Sequence, residues 1–500
     1  MKTCSINLPA FTFLTKYIFV MKLKFFLSAL PLFFLNVNSN AKVVLPSVFS
    51  NGMVLQRNTE VAIWGSSDTK KDITVTTSWN GKSYKVNPSS GNWKVKVATP
   101  AAGGPYNVTI NDGDETKLQD ILIGEVWVAS GQSNMEMPMK GFKDQPVANS
   151  DEIIKNSAND KIRLFLGEKV TWSRPLNDVK GEWKSAAPEV VTNFSAVGYG
   201  FAKILNEKLK VPVGIIQVAW GGTLVQAWMS AKSLNAYPDV KIPEDTNAAF
   251  ENKNVATGLF NAMINPIVGY GIRGAIWYQG EQNRHEPENY LKMFPDMVKD
   301  WRNRWGIGDF AFYYVQIAPY ISKTEKLSKA LLELQPKVPF LREAQLKAEN
   351  VIPNSGMAVI MDVGAQNTIH PPDKQTVSDR LSFLALNKTY GFKNIPYQGP
   401  VYKSQTIEGN KILLKFENAD GLQFKGDTTE SSNFEVAGKN QVFYPAKATI
   451  TKDGIVVSSS EVEKPVSVRY AFKAWVLGDL INKYGLPASS FRTDNWVIPM

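Results

Sequence analysis

The chain has one cysteine, Cys4, and only two histidines, His285 and His370, in 500 residues. These shortages exclude several chemistries. A disulfide framework needs paired cysteines, and a structural or catalytic zinc site needs clustered nitrogen and sulfur ligands, so no metal and no cofactor are expected. No P-loop sequence offers a phosphate cradle. Basic residues outnumber acidic ones, 56 to 46, but form no run and no patch interleaved with aromatics, so nucleic acid is not an expected partner. The apolar runs are too short to span a membrane as a helix.

Residues 1–41 differ from the rest: they hold four lysines, no acidic residue, and the apolar runs AFTFLTKYIFV and FFLSALPLFFL. The second run follows Met21-Lys22-Leu23-Lys24 and ends in Ser39-Asn40-Ala41. A basic start, a short apolar stretch and a small-x-small end describe an export signal. Translation is expected from Met21, and the mature chain from about Lys42. Removing the signal takes Cys4 away and leaves 52 basic against 46 acidic residues, a net charge of +6. The expected location is a periplasm or the cell exterior, with no membrane attachment once the signal is gone.

Length argues for more than one domain. From 42 to 115, VAIWG, ITVTTSWNGKSYKV, NWKVKVATP and YNVTIND alternate apolar with polar residues, and WNGK marks a hairpin, which predicts an N-terminal β-sandwich. From 116 to 395 the pattern becomes α/β. The apolar strands ILIGEVWVAS, VPVGIIQVAW, IRGAIWYQG, FAFYYVQIA and GMAVIMDVG alternate with amphipathic helical segments, predicting a parallel sheet flanked by helices. A polar insertion at 321–339 reads as a lid or rim loop. Residues 396–500 return to β patterning and are expected to pack on the central domain.

The chemistry lies at the strand ends. In a parallel sheet these ends share one edge, and each is followed here by an unusual loop: Gly131-Gln132-Ser133-Asn134, Gly221-Gly222-Thr223, Gln279-Gly280-Glu281-Gln282-Asn283, and a loop ending Ile369-His370-Pro371. A hydroxyl, glycine amides, carboxamides and an imidazole are the groups that acyl transfer requires. Ser133 reads as a nucleophile or as a turn or cap serine. His370 is preferred as its base, because His285 lies in NRHEPEN at the start of a helix, a surface setting. The G-x-S-x-G elbow of ordinary α/β-hydrolases is absent, since Met135 stands where its second glycine belongs. Trp220, Trp228, Trp277 and Tyr278 sit where aromatic faces could meet a sugar or simply fill the core. Arg284, Arg273 and Arg342 could meet a substrate carboxylate, though Arg342 reads equally as a structural bridge.

The blocks GQSNMEMPM, WGGT, WYQGEQN, LREAQ and IHPPDKQ, in that order, resemble the sialate O-acetylesterase family, a branch of the SGNH-type hydrolases related to carbohydrate acetylesterases. The resemblance covers roughly residues 42–490. It implies an SGNH-hydrolase-like sheet and a serine esterase that removes O-acetyl groups from carbohydrate, most directly sialic acid. Acetylated xylan or another plant polysaccharide is the alternative substrate, and a non-catalytic carbohydrate-binding protein the remote one. Ser133 would be the nucleophile, His370 the base, and the amides of Ser133 and Gly222 with the side chain of Gln279 or Asn283 the oxyanion donors. Three residues before the histidine, where many relatives carry aspartate, this chain has Asn367, with Thr368 next. Asp362, Asp373 and Glu281 are the carboxylates near in sequence or in the blocks. A serine–histidine dyad is expected, its imidazole oriented by a carbonyl or by Asn367 and titrating near the ordinary histidine value of about 6.5; the alternative is a carboxylate arriving from elsewhere, with Glu281 one candidate.

Overall fold

The computed structural model describes residues 43–68, 71–88, 91–321, 337–426 and 428–497. The segment read as an export signal and most of the polar insertion lie outside them.

A strand buried on both faces reads as a continuous apolar run rather than an alternating one. Six such strands build the centre: β1 (Glu115–Gly131), β2 (Asn159–Leu166), β3 (Val213–Ala219), β4 (Gly274–Tyr278), β5 (Ala311–Val315) and β6 (Ser355–Ala358). They run parallel in the order β6-β5-β4-β1-β3-β2, with Trp183–Ala186 antiparallel at the β2 edge. Along β1, Val126 and Val128 face one core while Trp127 and Ala129 face the other. Five helices matter here: α1 (Ser133–Glu136), α2 (Ala196–Leu209), α3 (Pro287–Trp305), α4 (Val338–Ala348) and α5 (Lys374–Leu384). Val197, Phe201 and Leu205 of α2 share one core with Val377 and Leu381 of α5. Phe294 and Trp301 of α3 share the other with Leu341 of α4. The chain fills one side of β1 and then the other, so the carboxyl end of β1 is the switch point where a crevice opens.

The N-terminal β region is continuous with this sheet. Gly103–Asn111 pairs antiparallel and Val54–Gln56 parallel with the first half of β1, and Ile73–Thr77 and Ser83–Val86 extend it outward. The result is one 11-stranded mixed sheet. Thr59–Ser66 and Asn92–Thr99 form a separate pair, and their Val61, Ile63, Trp93 and Val97 share a core with Ile73, Val75, Val108 and Ile110 of the larger sheet. Gly269-Tyr270-Gly271-Ile272-Arg273-Gly274 has G-x-G-x-x-G spacing but leads into β4 instead of leaving a strand. Arg273 is taken up by the buried Glu125 at 2.9 Å, so the segment is not a dinucleotide loop and Arg273 is no substrate clamp.

From Val401 seven strands form an antiparallel sheet over a core of Ile412, Leu414, Phe434, Val436, Val457 and Tyr470. Arg342 of α4 ties it to the centre. Its Nε donates to Ser490 Oγ at 3.2 Å and its Nη2 to the Lys473 carbonyl. Burial draws this guanidinium down to about 9, and no surface remains for a ligand. Arg342 is therefore the structural bridge of the two sequence readings.

At the carboxyl ends β1 and β4 come unusually close. Gly131 has φ +134°, and a Cβ there would lie 2.2 Å from the Tyr278 carbonyl oxygen. Gly131→Ala should cost about 3 kcal/mol or more, because backbone meets backbone and neither strand end can move aside. Urea unfolding measures it; an unchanged midpoint would mean that the two ends do not meet this tightly.

Candidate active site

Past Gly131 the chain is zipped to the β4 loop. Gln132 N–H donates to the Tyr278 carbonyl at 2.9 Å, and Gln132 Oε1 accepts from the amides of Gly280 and Gln282 at 3.3 and 3.2 Å. Ser133 then opens α1, a single turn, so its own N–H has no partner within the helix.

Ser133 Oγ lies 2.7 Å from His370 Nε2. The other ring nitrogen, Nδ1, lies 2.6 Å from Gln145 Oε1. The same oxygen accepts from Thr368 Oγ1 at 3.0 Å, and Thr368 Oγ1 accepts from the His370 amide at 3.0 Å. A carboxamide oxygen can only accept, which puts the ring proton on Nδ1 and leaves Nε2 free to accept from the serine. Phe142 packs edge-on against the imidazole at 5.2 Å. Burial first, and the nearby Lys374 ammonium second, pull the imidazole down to about 4, so it is neutral at neutral pH.

The orienting group is thus neither a backbone carbonyl nor Asn367, which is exposed. Nor is it a carboxylate. Asp362 is held by Arg380 at 2.6 and 2.9 Å, Asp373 caps α5 through Thr376, and Glu281 accepts from Asn134. Gln145 stands 225 residues from His370, in a loop with no recognisable motif, and nothing in the sequence singles it out.

The glycine loop lies against the serine: a Cβ on Gly221 would come within 2.9 Å of Ser133 Cβ. Gly221 itself is committed, its N–H to Glu136 Oε2 and its carbonyl to Lys253 Nζ. The N–H groups of Ser133 and Gly222 make no hydrogen bond among the described residues. Gln279 differs. Its Nε2 donates to the Thr223 carbonyl at 3.0 Å and to Asn283 Oδ1 at 2.7 Å, so both protons are taken. Asn283 Oδ1 also accepts from Val225 N–H, and its Nδ2 donates to Gln226 Oε1 at 3.2 Å. Gln279 therefore braces the glycine loop with both protons, and Asn283 braces it through Oδ1 and one proton of Nδ2.

Other sequence candidates are distributed as follows. His285 touches neither Ser133 nor His370, and burial with Arg284 lowers its pKa. Trp228 is wholly buried, donates to Thr223 Oγ1 and packs at right angles to Trp277, so both are core residues. Tyr278 is also fully buried. Trp220 is half-buried, with the ammonium groups of Lys169 and Lys253 over its ring at 6.0 and 5.9 Å. Arg284 folds back onto the Glu281 carbonyl at 2.8 Å. Beside the serine loop a cleft of about 600 Å³ is lined by Glu136, Lys140, Phe142, Leu166, Lys169 and Ala219 among others.

With this geometry in place, comparison with known proteins is informative. Residues 123–356 match the sequence model described as carbohydrate esterase, sialic acid-specific acetylesterase. The chain is 28% identical to the sialate O-acetylesterase of Homo sapiens over 468 residues, covering 86% of this chain and 87% of that one. The Mus musculus enzyme gives 28% over 494 residues, with 86% and 89% covered. Among solved structures, a carbohydrate acetylesterase from Xanthomonas citri is 35% identical with a TM-score of 0.81, covering 91% of this chain and all of its own.

Replacing Gln145 tests the ring geometry directly. Gln145→Glu puts a negative charge on Nδ1–H, which favours the imidazolium, so the His370 titration should rise from about 4 toward or above the ordinary value of about 6.5. With only two histidines in the chain, NMR follows it readily. A titration that stayed put would remove Gln145 from the ring.

Proposed function

The chain belongs to the sialate O-acetylesterase family of carbohydrate esterases and is a carboxylic ester hydrolase, and from that premise we propose that it is an SGNH-type serine esterase that deacetylates O-acetylated sialic acid through an acetyl-enzyme on Ser133. The observation that carries this reading is the chain of contacts Ser133 Oγ, His370 Nε2, His370 Nδ1, Gln145 Oε1, at 2.7 and 2.6 Å. Ser133 Oγ attacks the acetyl carbonyl as its proton passes to Nε2. The oxyanion that forms is met by the N–H groups of Ser133 and Gly222. The imidazolium returns the proton to the departing sugar oxygen, breaking the ester bond and leaving acetyl-serine. Water then attacks that ester, again giving its proton to Nε2, and acetate leaves as the serine is restored.

An amide in place of the usual aspartate holds the tautomer but adds no charge. The base therefore stays neutral far into the acid range, and the acid limb of kcat/KM should fall well below the ordinary histidine value. No step calls for a metal or cofactor. The sugar is placed in the cleft beside Phe142 and Lys169, at the carboxyl ends of β2 and β3. Lys140, Lys169 and Lys180 stand on that wall with Glu136 and Glu168, and the small positive surplus suits an acidic sugar. Each lysine already has a partner in Asn193, Glu136 or Asp178, which keeps a second reading in play, a neutral acetylated polysaccharide such as acetylxylan. Export through the segment 21–41 belongs to the same proposal.

Ser133→Ala should lower acetate release roughly 10⁴-fold or more while the fold survives. Assays on 9-O-acetylated sialic acid beside acetylated xylan decide the substrate. Wild-type turnover of xylan alone would overturn the sialate reading. A Ser133→Ala variant within about tenfold of wild type would overturn the nucleophile.

A further inference from the structure

Asn134, the residue after Ser133, is fully buried, and every polar atom of its amide is engaged. Nδ2 donates to Glu281 Oε1 at 2.5 Å and to the Ile369 carbonyl at 3.0 Å. Oδ1 accepts from Lys374 Nζ at 2.5 Å. Glu281 and Lys374 are each 1% exposed. An ammonium only donates, and the two oxygens facing Nδ2 accept, so the amide cannot turn over without losing all three bonds. Through Ile369 it grips the peptide immediately before His370. The residue after the serine is thereby bonded to the residue before the histidine, at the point where Oγ and Nε2 meet.

We infer that Asn134, locked by Glu281 and Lys374, is a positioning residue that sets the serine–histidine distance, while Gln145 keeps the separate task of holding the ring tautomer. The kinetic part of this inference rests on the serine–histidine reading above; the geometric part does not. Lys374 has a second effect. Its ammonium is the charged group that acts on His370 from α5, and it disfavours the imidazolium. Of the other groups around the ring, Gln145, Thr368 and Phe142 carry no charge, Asp373 is turned onto Thr376, and Glu281 faces the ring only through Asn134. Burial brings Lys374 itself down to about 7, still above the imidazole, so it is charged while His370 titrates.

The test uses the full-length chain and p-nitrophenyl acetate, which reads acetyl transfer whatever the sugar. Asn134→Ala should lower kcat about 10- to 100-fold with KM within about twofold, because small displacements of paired reacting groups are costly. Glu281→Gln, which keeps an accepting oxygen, should stay within about threefold of wild type, whereas Glu281→Ala should resemble Asn134→Ala. Lys374→Met should raise the His370 titration measured by NMR, and Lys374→Arg should restore it. A purely structural clamp would lower Tm and leave kcat of the folded fraction and the His370 titration unmoved, and either result would overturn the inference. A wild-type chain inert to every acetyl ester would instead overturn the proposed function, while the NMR comparison would still decide the role of Lys374.

Discussion

Everything at the site depends on how closely two strand ends approach. Gly131 at the end of β1 lies under the Tyr278 carbonyl at the end of β4, at a distance that a side chain would forbid. This contact lets Gln132 bond three backbone groups of the β4 loop and sets the direction in which α1 leaves the sheet. Ser133 inherits its place from that direction. β1 is also the strand that the N-terminal strands join, so the same rod is clamped along its whole length, by Gly103–Asn111 and Val54–Gln56 at one end and by β3 and β4 at the other. A nucleophile on a loop alone would lack that rigidity.

Electrostatics at the site follows from burial without a carboxylate. A carboxylate against Nδ1 would make the imidazolium easier to form and raise the pH at which the base fails. Gln145 orients the ring without doing so, and burial with the Lys374 charge moves the balance further toward neutral imidazole. The site gives up part of the stabilisation of its imidazolium and keeps the base available in acid. In the proposed mechanism catalysis would then lean on geometry and on the amide dipoles at the oxyanion, where preorganised donors are most effective.

Much of this was legible in the sequence, for a physical reason. Parallel strands buried on both faces announce themselves as apolar runs, their carboxyl ends share one edge, and a chain with two histidines offers few bases, so Ser133 and His370 could be paired from pattern alone. The carboxamides could not be sorted that way. Gln279 and Asn283 have the composition of oxyanion donors, but both Gln279 protons go to Thr223 and Asn283, and Asn283 donates to Gln226, an outcome that depends on side-chain directions within one loop. Trp228 and Arg342 were ambiguous for the same reason: burial, invisible in a single sequence, turns both into structural parts. Gln145 was hidden because its partner is 225 positions away and its own loop carries no periodicity. The boundary near 115 hides a continuity, since one strand carries both the N-terminal and the central part of a single sheet and composition changes midway along it.

The groups proposed to react are indifferent to the sugar. Ser133, His370, Gln145 and the amides of Ser133 and Gly222 meet only the acetyl group and the oxygen it leaves. Discrimination between an acidic monosaccharide and a neutral polymer therefore falls to the walls. On the β2–β3 side these include Phe142, Lys140 and Lys169, the last lying over the half-buried Trp220. Lys169 is bound to Glu136, which in turn holds Gly221 N–H next to the serine. A substrate anion that drew Lys169 away would loosen Glu136 and reach the glycine loop through a single residue. On the proposed reading, sugar recognition and oxyanion geometry would be joined by that one carboxylate, and a substitution at Lys169 would be felt at the glycine loop.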